Sequence, residues 1–541
     1  MPGYRQGLRR PWLPGRLTVP RRYYLGMRRQ RALLAAGAPA EPAITGRRRQ
    51  GRRRTDVLPG GLPGPGDGRS LPAAPTGLVC PAMKLLLCAI NARYTHLSPA
   101  LRCLRQQLPD GFEVVLREYV ITQPLLEICQ AIALESPDVL LCSVYVWNSR
   151  HFTALLPDLR QLLPDCRLIL GGPEVSWNAD QWLKRLPMVD LIVCGAGELA
   201  IRQLAAAGFD LTAWPGRQLL AETPDFCQLP QPYTVADVPE FATRYVYYES
   251  ARGCPFACSY CLSANAAHAL QLKPVELVCR ELDWLAAGQP RLVKFVDRTF
   301  NANPGRARAI WCHLAERHPN AGIRFHFEVH PALLEDDDFS LLGQSPAGLF
   351  QFELGVQTIH ADTRREVGRW GDWPTERAAL ARLVALKTIP THVDLIAGLP
   401  GDDLTRLAAS LDELAALGAD HLQLGFLKVL PGTPMAGRAA AYGLCHQSAA
   451  PYELFSNRWL TVAELYLVRQ LAELIENVGN THFYDELFQS GVRACGGTFG
   501  AYQSLLAYCL ASGFDIHTRN REKVRPQLEA WLASLRLSHP D

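Results

Sequence analysis

Short, uninterrupted apolar segments recur in the first half of the chain, and helix-like stretches separate them. Strands that are apolar on both faces are typical of a parallel sheet, because each face then packs against a layer of helices. The sequence therefore predicts a doubly wound α/β domain over residues 83–207, with a ligand site beyond the carboxyl ends of the strands. The predicted strands are MKLLLCAI (83–90), DVLLCSVYV (138–146), CRLILGG (166–172) and VDLIVCGAGE (189–198).

Small and polar residues stand where the last three of these strands end. Glycine has no side chain, so the backbone there can approach a flat or bulky ligand closely. We therefore expect these positions to line the ligand site. They are Ser143 and Tyr145 after the second strand, Gly171 and Gly172 after the third, and Gly195 and Gly197 after the fourth.

This segment resembles the cobalamin-binding domain that precedes radical S-adenosylmethionine (SAM) cores. In that family a Ser-x-Leu pair and a Gly-Gly pair line the corrin and its nucleotide tail. Ser143-Val144-Tyr145 and Gly171-Gly172 match them, with Tyr in place of Leu. The resemblance implies a cobalamin cofactor, contacted by these residues and by Gly195 and Gly197. The alternative is a Rossmann-like domain that binds no cobalamin.

The segment after the first predicted strand departs from one branch of that family. The mutase branch carries Asp-x-His-x-x-Gly there, and its histidine ligates cobalt from below. In the sequence NARYTHLSPA, Asn91 and Arg93 occupy the Asp and His places, and His96 comes three residues later. Either His96 ligates cobalt or the cobalt has no protein imidazole below it, and the resemblance to the radical SAM relatives favours the second alternative.

Three cysteines stand close together in YESARGCPFACSYCLSAN (248–265). Cys254, Cys258 and Cys261 have the spacing C-x3-C-x2-C. A disulfide uses two cysteines and a closed zinc site uses four ligands, so three thiols leave a coordination position open. Ferredoxin-like [4Fe–4S] clusters take four cysteines, and three would leave one iron free for another ligand. A zinc ion bound by these thiols and a distant histidine is the alternative.

The cysteine segment resembles the signature of the radical SAM superfamily. The resemblance implies that the three cysteines are metal ligands and that the free iron binds the amino and carboxylate groups of SAM. An electron from the cluster would then give methionine and a 5′-deoxyadenosyl radical. The family often places an aromatic residue directly before the last cysteine, near the adenine, and Tyr260 has that position.

Six further strand patterns, again alternating with helix-like stretches, predict a partial (β/α)6 barrel over residues 244–435. They cover residues 244–250, 291–300, 323–330, 349–358, 392–400 and 421–432. A parallel barrel carries its catalytic residues at the carboxyl ends of the strands. The polar residues that collect there are Asp297, Arg298, Glu328, His330, Glu353, Gln357 and Asp394.

ELGVQT (353–358) resembles the E-x-G-x-Q-[ST] strand of the Elp3-like and methylthiotransferase-like radical SAM branch. The resemblance implies that Gln357 faces the SAM pocket and that Arg369 matches a family arginine. We place Glu328 in the same cofactor site. The Gly-Gly-Glu run that often contacts the SAM amine is absent, and FVDRTFN (295–301) stands in its place. Asp297 is the expected contact of the amine.

Residues 436–541 show apolar residues at three- and four-residue spacing, which predicts a helical C-terminal domain. This domain resembles the extension of unknown function found in one group of cobalamin-type radical SAM proteins. Four aromatic residues in it could form a substrate lid or belong to the helical core. They are Tyr452, Trp459, Phe483 and Tyr484.

Residues 1–82 hold 16 Arg, no Lys and three acidic residues, which gives a charge of +13 and leaves −9 for the rest of the chain. The segment is rich in Pro and Gly, so we expect a disordered extension, with a basic binding arm or a targeting peptide as alternatives. Met83 directly precedes a strand pattern and could be the natural start. Residues 208–243 are the predicted linker between the α/β domain and the barrel.

Scattered cysteines with no secretory signal favour a reduced, cytoplasmic location, and no apolar run is long enough for a membrane span. We expect a cobalamin-dependent radical SAM enzyme that modifies a small molecule, most often by methylation, and that takes electrons from a flavodoxin- or ferredoxin-type donor. An RNA-modifying enzyme is one alternative, although the net negative charge of residues 83–541 makes nucleic acid an unfavourable partner. The remaining alternatives are a radical SAM redox or cyclisation enzyme and a non-catalytic corrinoid carrier.

Overall fold

The computed structural model describes residues 82–264 and 270–538, all within one compact unit, Val79–Asp541. The extension predicted to be disordered therefore lies outside the described residues, except for residue 82. Within the described ranges, no helix is both long and apolar enough to cross a membrane. The described cysteines are all free thiols.

The N-terminal domain is a six-stranded parallel sheet with helices on both faces, as predicted. The strand order is β2-β1-β3-β4-β5-β6, so the chain reverses its direction of winding between β1 and β3. The strands are β1 Lys84–Asn91, β2 Glu113–Val120, β3 Val139–Ser143, β4 Arg167–Gly171, β5 Leu191–Cys194 and β6 Gln218–Leu220. The helices are α1 Pro99–Arg105, α2 Leu125–Glu135, α3 Ser149–Leu162, α4 Pro173–Ser176, α5 Ala179–Arg185 and α6 Gly197–Ala206.

Strand β1 shows why the sheet is buried on both faces. Successive side chains of a strand point to opposite faces. Leu86 and Cys88 belong to one apolar cluster, whereas Leu85 and Leu87 belong to another on the opposite face. A continuous apolar run is therefore required at this position, and the run 83–90 supplies it.

Two strands of this sheet were not predicted from the sequence. Strand β2 has the sequence EVVLREYV and lies at an edge, where Glu113 and Arg117 are exposed, so it lacks a continuous apolar run. Strand β6 has three residues, and it lies within the segment 208–243 that we predicted to be a linker. This segment therefore also contributes the other edge of the sheet.

The second domain is a six-stranded parallel sheet in the order β14-β13-β12-β11-β10-β7, which follows the chain and confirms the partial (β/α)6 barrel. The strands are β7 Val246–Tyr248, β10 Leu292–Phe295, β11 Arg324–Glu328, β12 Phe350–Gln357, β13 Thr391–Ala397 and β14 His421–Phe426. A short antiparallel pair, β8 Ala251–Arg252 and β9 Gln271–Leu272, follows β7. The helices are α7 Val275–Ala287, α8 Pro304–Arg317, α9 Asp336–Gln344, α10 Ala361–Glu366, α11 Trp373–Leu386 and α12 Leu404–Leu417.

The C-terminal region is helical, as predicted, and contains a small antiparallel hairpin. It consists of α13 Pro434–Gly437, α14 Ala439–Tyr442, β15 Cys445–His446, β16 Leu454–Ser456, α15 Val462–Leu474, α16 Asp485–Cys495, α17 Thr498–Ser512 and α18 Arg521–Ser538. Of its four aromatic candidates, Tyr452 and Tyr484 are buried, Trp459 is half-buried and Phe483 is exposed.

The N-terminal domain contacts the barrel at β7, one edge of the barrel sheet. The backbone of His96 pairs with Tyr245, directly before β7, and the Nδ1 atom of His96 lies 2.6 Å from the hydroxyl oxygen of Tyr247. Arg244 donates to the carbonyl oxygens of Tyr94 and His96 at 2.9 Å and 2.7 Å. These contacts fix the amino end of the barrel sheet against the loop after β1.

The same domain also contacts the segment that follows β14, the opposite edge of the barrel sheet. A Cβ atom at Gly432 would lie 2.3 Å from the ring of Trp177, so only glycine lets the two come together. The hydroxyl of Tyr452 donates a 2.6 Å hydrogen bond to Glu174, the second residue of α4. The N-terminal domain is thus fastened at both edges of the barrel.

Candidate functional site

The three predicted cysteine ligands lie on the loop between β8 and β9. Gly253, with φ of 93°, turns the chain directly before Cys254. The middle of the loop is held by two backbone bonds of Ser259: its N–H donates to the Val367 carbonyl at 2.8 Å, and its carbonyl accepts from the Met435 N–H at 2.9 Å. The loop is therefore anchored both to the barrel, at Val367, and to the start of the C-terminal region, at Met435.

A cavity of about 190 Å³ opens beside this loop, at the carboxyl ends of the barrel strands. It brings together the three cysteines and most of the polar residues predicted from the barrel strands. Its lining comprises Cys254, Phe256, Cys258, Tyr260, Cys261, Ala264, Arg298, Thr299, Glu328, Val329, His330, Glu353, Gly355, Gln357, Arg369 and Asp394.

The spacing of the thiols favours a multinuclear group over a single ion. Zinc bound by thiolates at 2.3 Å in a tetrahedron would hold the sulfur atoms roughly 3.8 Å apart. The Sγ atoms of Cys254, Cys258 and Cys261 do not all lie within 4.8 Å of one another. Their wider separation fits a cluster that takes one thiolate at each of several metal corners.

Gln357 lies at the end of β12 in a strained backbone conformation. Its φ is +70°, and the pairing of β12 with β13 shifts register between Gly355 and Gln357. A Cβ atom at Gly355 would lie 2.3 Å from Nε2 of Gln357, so the glycine leaves the space that the amide occupies. Its Oε1 atom is buried and has no hydrogen-bond partner among the described residues. A ligand in the cavity would supply the missing donor.

Arg369 reaches the cavity from the loop after α10. Gly368, with φ of +67°, brings this loop against the cysteine loop, where a Cβ atom would lie 2.7 Å from the Ala257 carbonyl oxygen. The guanidinium of Arg369 donates to the Gly355 carbonyl, and its Nε atom is buried without a partner among the described residues. The cavity wall therefore offers both a free donor and a free acceptor.

Three carboxyl groups also line the cavity. Burial raises the pKa of Glu328 to about 7, although Arg298 lies 3.3 Å away. Burial opposes ionisation of Glu353 too, but His326 and Lys294 hold its pKa down at about 2. Burial also raises the pKa of Asp394. The cavity thus combines an ionised carboxylate with two carboxyl groups that bind protons more tightly.

Two predicted residues differ in their relation to the cavity. Asp297 is fully buried outside the lining, where it accepts a 2.8 Å hydrogen bond from the Ser250 N–H and one from the Ser250 hydroxyl. Burial raises its pKa to about 6. Its contact with the SAM amine therefore stays a prediction. His330 does line the cavity, and burial lowers its pKa to about 3, so this imidazole is neutral.

The structure adds lining residues that sequence reasoning missed. The ring of Phe256 stacks on Trp370 at 5.4 Å, and the hydroxyl of Thr299 lies 3.7 Å from Sγ of Cys254. Polar residues at strand ends carry a signal in the sequence, whereas an aromatic residue inside C-x3-C, such as Phe256, carries none. Thr299 stands within FVDRTFN and could have been noticed through its position after a strand.

The second predicted cofactor site is the carboxyl edge of the N-terminal sheet. The backbone there is closely packed, since a Cβ atom at Gly172 would lie 2.5 Å from the Val144 carbonyl oxygen. Gly171 and Ser143 are neighbours in the β3–β4 pairing, and Gly195 has φ of +100°. Gly197 begins α6 and packs closely on Leu104.

Aromatic side chains stand exposed along this edge. The rings of Tyr145 and Trp147 stack at 4.3 Å, and 43% of Trp147 and of Trp177 is exposed. Exposed apolar rings beside a glycine-lined strand edge suit a broad, partly apolar ligand. His96 does not join them through Nδ1, because that atom is engaged by the Tyr247 hydroxyl.

Comparison with protein families divides the chain into three matches. Residues 86–205 match the B12 binding domain, residues 248–425 match the Radical SAM superfamily, and residues 440–534 match a Protein of unknown function (DUF4080). The first two matches coincide with the sheet of the N-terminal domain and with the barrel.

Two curated relatives are methyltransferases. The cobalamin-dependent radical SAM methyltransferase TokK of Streptomyces tokunonensis is 27% identical over 343 residues, which are 58% of this chain and 50% of that protein. The 2-(S-pantetheinyl)-carbapenam-3-carboxylate methyltransferase of Streptantibioticus cattleyicolor is 26% identical, with 58% and 50% covered. The chain spans about half the length of these relatives.

Solved structures resemble this one in fold. The cobalamin-dependent S-adenosylmethionine radical enzyme OxsB, with aqua-cobalamin and SAM bound, gives a TM-score of 0.61 at 14% identity, with 85% of this chain and 79% of that chain covered. The radical SAM methyltransferase TsrM of Kitasatospora setae gives 0.53 at 19% identity, with 70% and 79% covered.

Proposed function

Because the chain carries a B12-binding domain followed by a radical SAM domain, we propose that it is a cobalamin-dependent radical SAM enzyme that methylates a small molecule. The observation that supports this most strongly is the cavity, whose lining combines three cysteines with buried polar groups that lack a hydrogen-bond partner among the described residues. The curated relatives of the chain that are methyltransferases support the reaction class.

The residues fit the three groups that this function requires. Cys254, Cys258 and Cys261 would hold a [4Fe–4S] cluster with one iron left open. The free acceptor of Gln357 and the free donor of Arg369 suit the polar groups of SAM. When bound, the cluster supplies the electron that cleaves the C5′–S bond of SAM, and the corrinoid supplies the methyl group.

The protein's own residues position and shield these reactants. Tyr260 and Phe256 place aromatic rings on the cavity wall, which limits water near the cysteines. Burial raises the pKa of Tyr260, so its hydroxyl keeps its proton and can donate a hydrogen bond. We assign cobalamin contacts to Ser143, Tyr145, Gly171, Gly172, Gly195 and Gly197, on the glycine-lined edge of the N-terminal sheet.

The polar residues on the inner face of the barrel favour a small, polar substrate. Parallel barrels fill their interior mostly with Val, Ile and Leu. Here Lys294, His326 and Glu353 form one polar group, with the carboxylate 3.3 Å from the ammonium and 3.2 Å from the imidazole. His392 lies 3.2 Å from Asp394. A substrate with hydrogen-bonding groups would be complementary to this surface.

The cluster would be reduced by a one-electron donor of flavodoxin or ferredoxin type.

The test is anaerobic reconstitution of the full chain with iron, sulfide and hydroxocobalamin, followed by incubation with SAM and a strong reductant. We expect about four irons per chain, a bound corrinoid spectrum and formation of 5′-deoxyadenosine. Cys258→Ala should lose the cluster absorbance and the deoxyadenosine, whereas Cys445→Ala, which changes an exposed thiol on β15, should keep both.

Product analysis separates methylation from other radical outcomes. Methylation consumes two SAM molecules, one giving 5′-deoxyadenosine and the other S-adenosylhomocysteine. A substrate that is converted with deoxyadenosine formation but without S-adenosylhomocysteine would refute methyl transfer and favour a redox or cyclisation reaction. Intact SAM in the reconstituted, reduced protein would refute the radical SAM function itself.

A further inference from the structure

A second group of metal-ligating side chains lies outside the cavity, between helices α7 and α8. Asp283 stands in the last turn and a half of α7, His313 near the end of α8, and His318 directly after α8. Helices α7 and α8 and the residue directly after α8 thus contribute three side chains of the kinds that bind transition metals.

The three side chains converge on one point. Oδ1 of Asp283 lies 2.9 Å from Nε2 of His313 and 2.7 Å from Nε2 of His318. All three ligand atoms lie within 4.8 Å of one another. Both imidazoles therefore direct Nε2 at the same carboxylate oxygen.

The dimensions suit a tetrahedral ion. Zn²⁺ binds imidazole nitrogen at 2.0–2.1 Å and carboxylate oxygen at 2.0–2.2 Å, which separates the ligand atoms by roughly 3.3 Å. The two contacts of Asp283 would need to lengthen by about half an ångström. The spacing His-x4-His also lies within the range that zinc sites use.

Electrostatics and access also suit a cation. Burial acts against ionisation of Asp283, but hydrogen bonds from His313 and His318 outweigh it and lower the pKa of this carboxyl. The side chains are 36%, 23% and 15% exposed for Asp283, His313 and His318, so an ion and one water molecule can reach them from solvent.

The location indicates a structural role. Helix α8 leads from the carboxyl end of β10 back to the amino end of β11, so its last turn lies at the face of the barrel opposite to the cysteine cavity. In parallel barrels that face contributes to stability, whereas the carboxyl face carries the chemistry. We propose that Asp283, His313 and His318 bind a Zn²⁺ ion, with water as the fourth ligand, and that this ion ties α7 to α8.

The experiment is a titration of the full chain with Zn²⁺ alone, followed calorimetrically, after anaerobic reconstitution of its cluster and removal of loose metal on a chelating resin. His318→Gln and Asp283→Asn test the site. His517→Gln is the matched control, because His517 is exposed and lies 3.4 Å from a single carboxylate, that of Glu473.

We expect one Zn²⁺ site per chain in the unaltered protein and in His517→Gln, with affinity at least tenfold weaker in His318→Gln and in Asp283→Asn. Zn²⁺ should also raise the Tm of the first two proteins more than that of the two site variants, because an ion that binds the folded state stabilises it.

Asp283→Asn keeps an acceptor for the imidazoles, so it tests binding in a folded chain. Equal zinc affinity in the control and both site variants would overturn the proposal, as would the lack of any saturable site in the unaltered protein. Neither result depends on SAM cleavage.

Discussion

Gly355 decides where the side chain of Gln357 lies, and with it one wall of the cavity. The amide occupies the place where any other residue at 355 would carry its Cβ atom. Gln357 itself adopts a left-handed φ, which costs of order 1–3 kcal/mol and is found mainly where function maintains it. The strain and the unsatisfied Oε1 atom thus occur in the same residue.

Gly355→Ala should weaken SAM binding with little loss of stability. The new methyl group meets the far end of a flexible side chain, so Gln357 can move aside without unfolding the strand. We expect the Kd for SAM to rise on the order of tenfold, about 1.4 kcal/mol, with a nearly unchanged Tm. Gly216→Ala, which places its methyl group in open space, is the control. Unchanged SAM affinity in Gly355→Ala would contradict the role of Gln357.

Glu328 should make stability fall as pH rises. Its folded-state pKa of about 7 lies above the ordinary 4.5, because burial penalises the ionised form. Between pH 4.5 and 7 the unfolded chain releases this proton while the folded chain retains it. The free energy of unfolding therefore falls by up to about 3 kcal/mol across that window. Glu328→Gln should therefore gain stability relative to the unaltered protein as pH increases from 5 to 7.5. Thermal unfolding at both pH values measures this, and a difference that stays constant with pH would refute it.

At the scale of elements, one buried arginine organises the loop that carries Arg369. Arg364 of α10 donates to the Thr358 carbonyl at 3.2 Å and forms an ion pair with Glu376 of α11. It also donates to the carbonyl oxygens of Trp370 and Gly371. The end of β12, the loop 367–371 and α11 are therefore held by a single guanidinium.

Glu376→Gln should be strongly destabilising. The carboxylate is fully buried, so removing its charge leaves the Arg364 guanidinium buried without a counter-charge. Such changes cost about 3–5 kcal/mol. Arg377, the next residue of α11, forms an exposed ion pair with Glu413 of α12, and Arg377→Ala should cost less than about 1 kcal/mol. Chemical denaturation compares the two, and losses of similar size would contradict the importance of this anchor.

Sequence patterns predict elements that carry a continuous or an alternating apolar pattern, and they miss elements that carry neither. Strand β1 follows from its continuous apolar run, and barrel strands such as β12 follow from an alternating pattern. Strand β2 is an edge strand with charged residues, and β6 is three residues long, so neither shows a recognisable repeat of apolar residues.

The candidate site divides in the same way. The grouping of the three cysteines at one cavity follows from their spacing, and the lining by Glu328, Gln357 and Arg369 follows from strand ends and the resemblance. The burial of Asp297 against Ser250 depends on a contact across 47 residues, which no local pattern reports. The same is true of the polar group formed by Lys294, His326 and Glu353, because it comes from three neighbouring strands.

At the scale of the whole molecule, the hydrogen bond between Tyr452 and Glu174 joins parts of the chain 278 residues apart. Burial raises the pKa of Glu174 because it removes the carboxyl from water. The hydrogen bond from Tyr452 replaces part of the lost hydration. Val429, beyond β14, donates to the Tyr452 carbonyl at 2.9 Å, which fixes the tyrosine to the barrel.

Tyr452→Phe should reduce stability by about 1–3 kcal/mol, because it leaves a buried acceptor without its donor. Tyr119→Phe is the matched control, since the hydroxyl of Tyr119 is buried and has no partner among the described residues. That change should be neutral or slightly stabilising. Denaturant unfolding measures both variants, and an equal response would show that the Tyr452 bond contributes nothing.

Attachment at two separated places restricts how the N-terminal domain can move. A body fixed at one point can swing on a hinge, whereas one fixed near both β7 and the segment after β14 cannot rotate without breaking a fastening. The hydrogen bond between Tyr452 and Glu174 therefore restrains the position of the whole N-terminal domain, in addition to being a local contact.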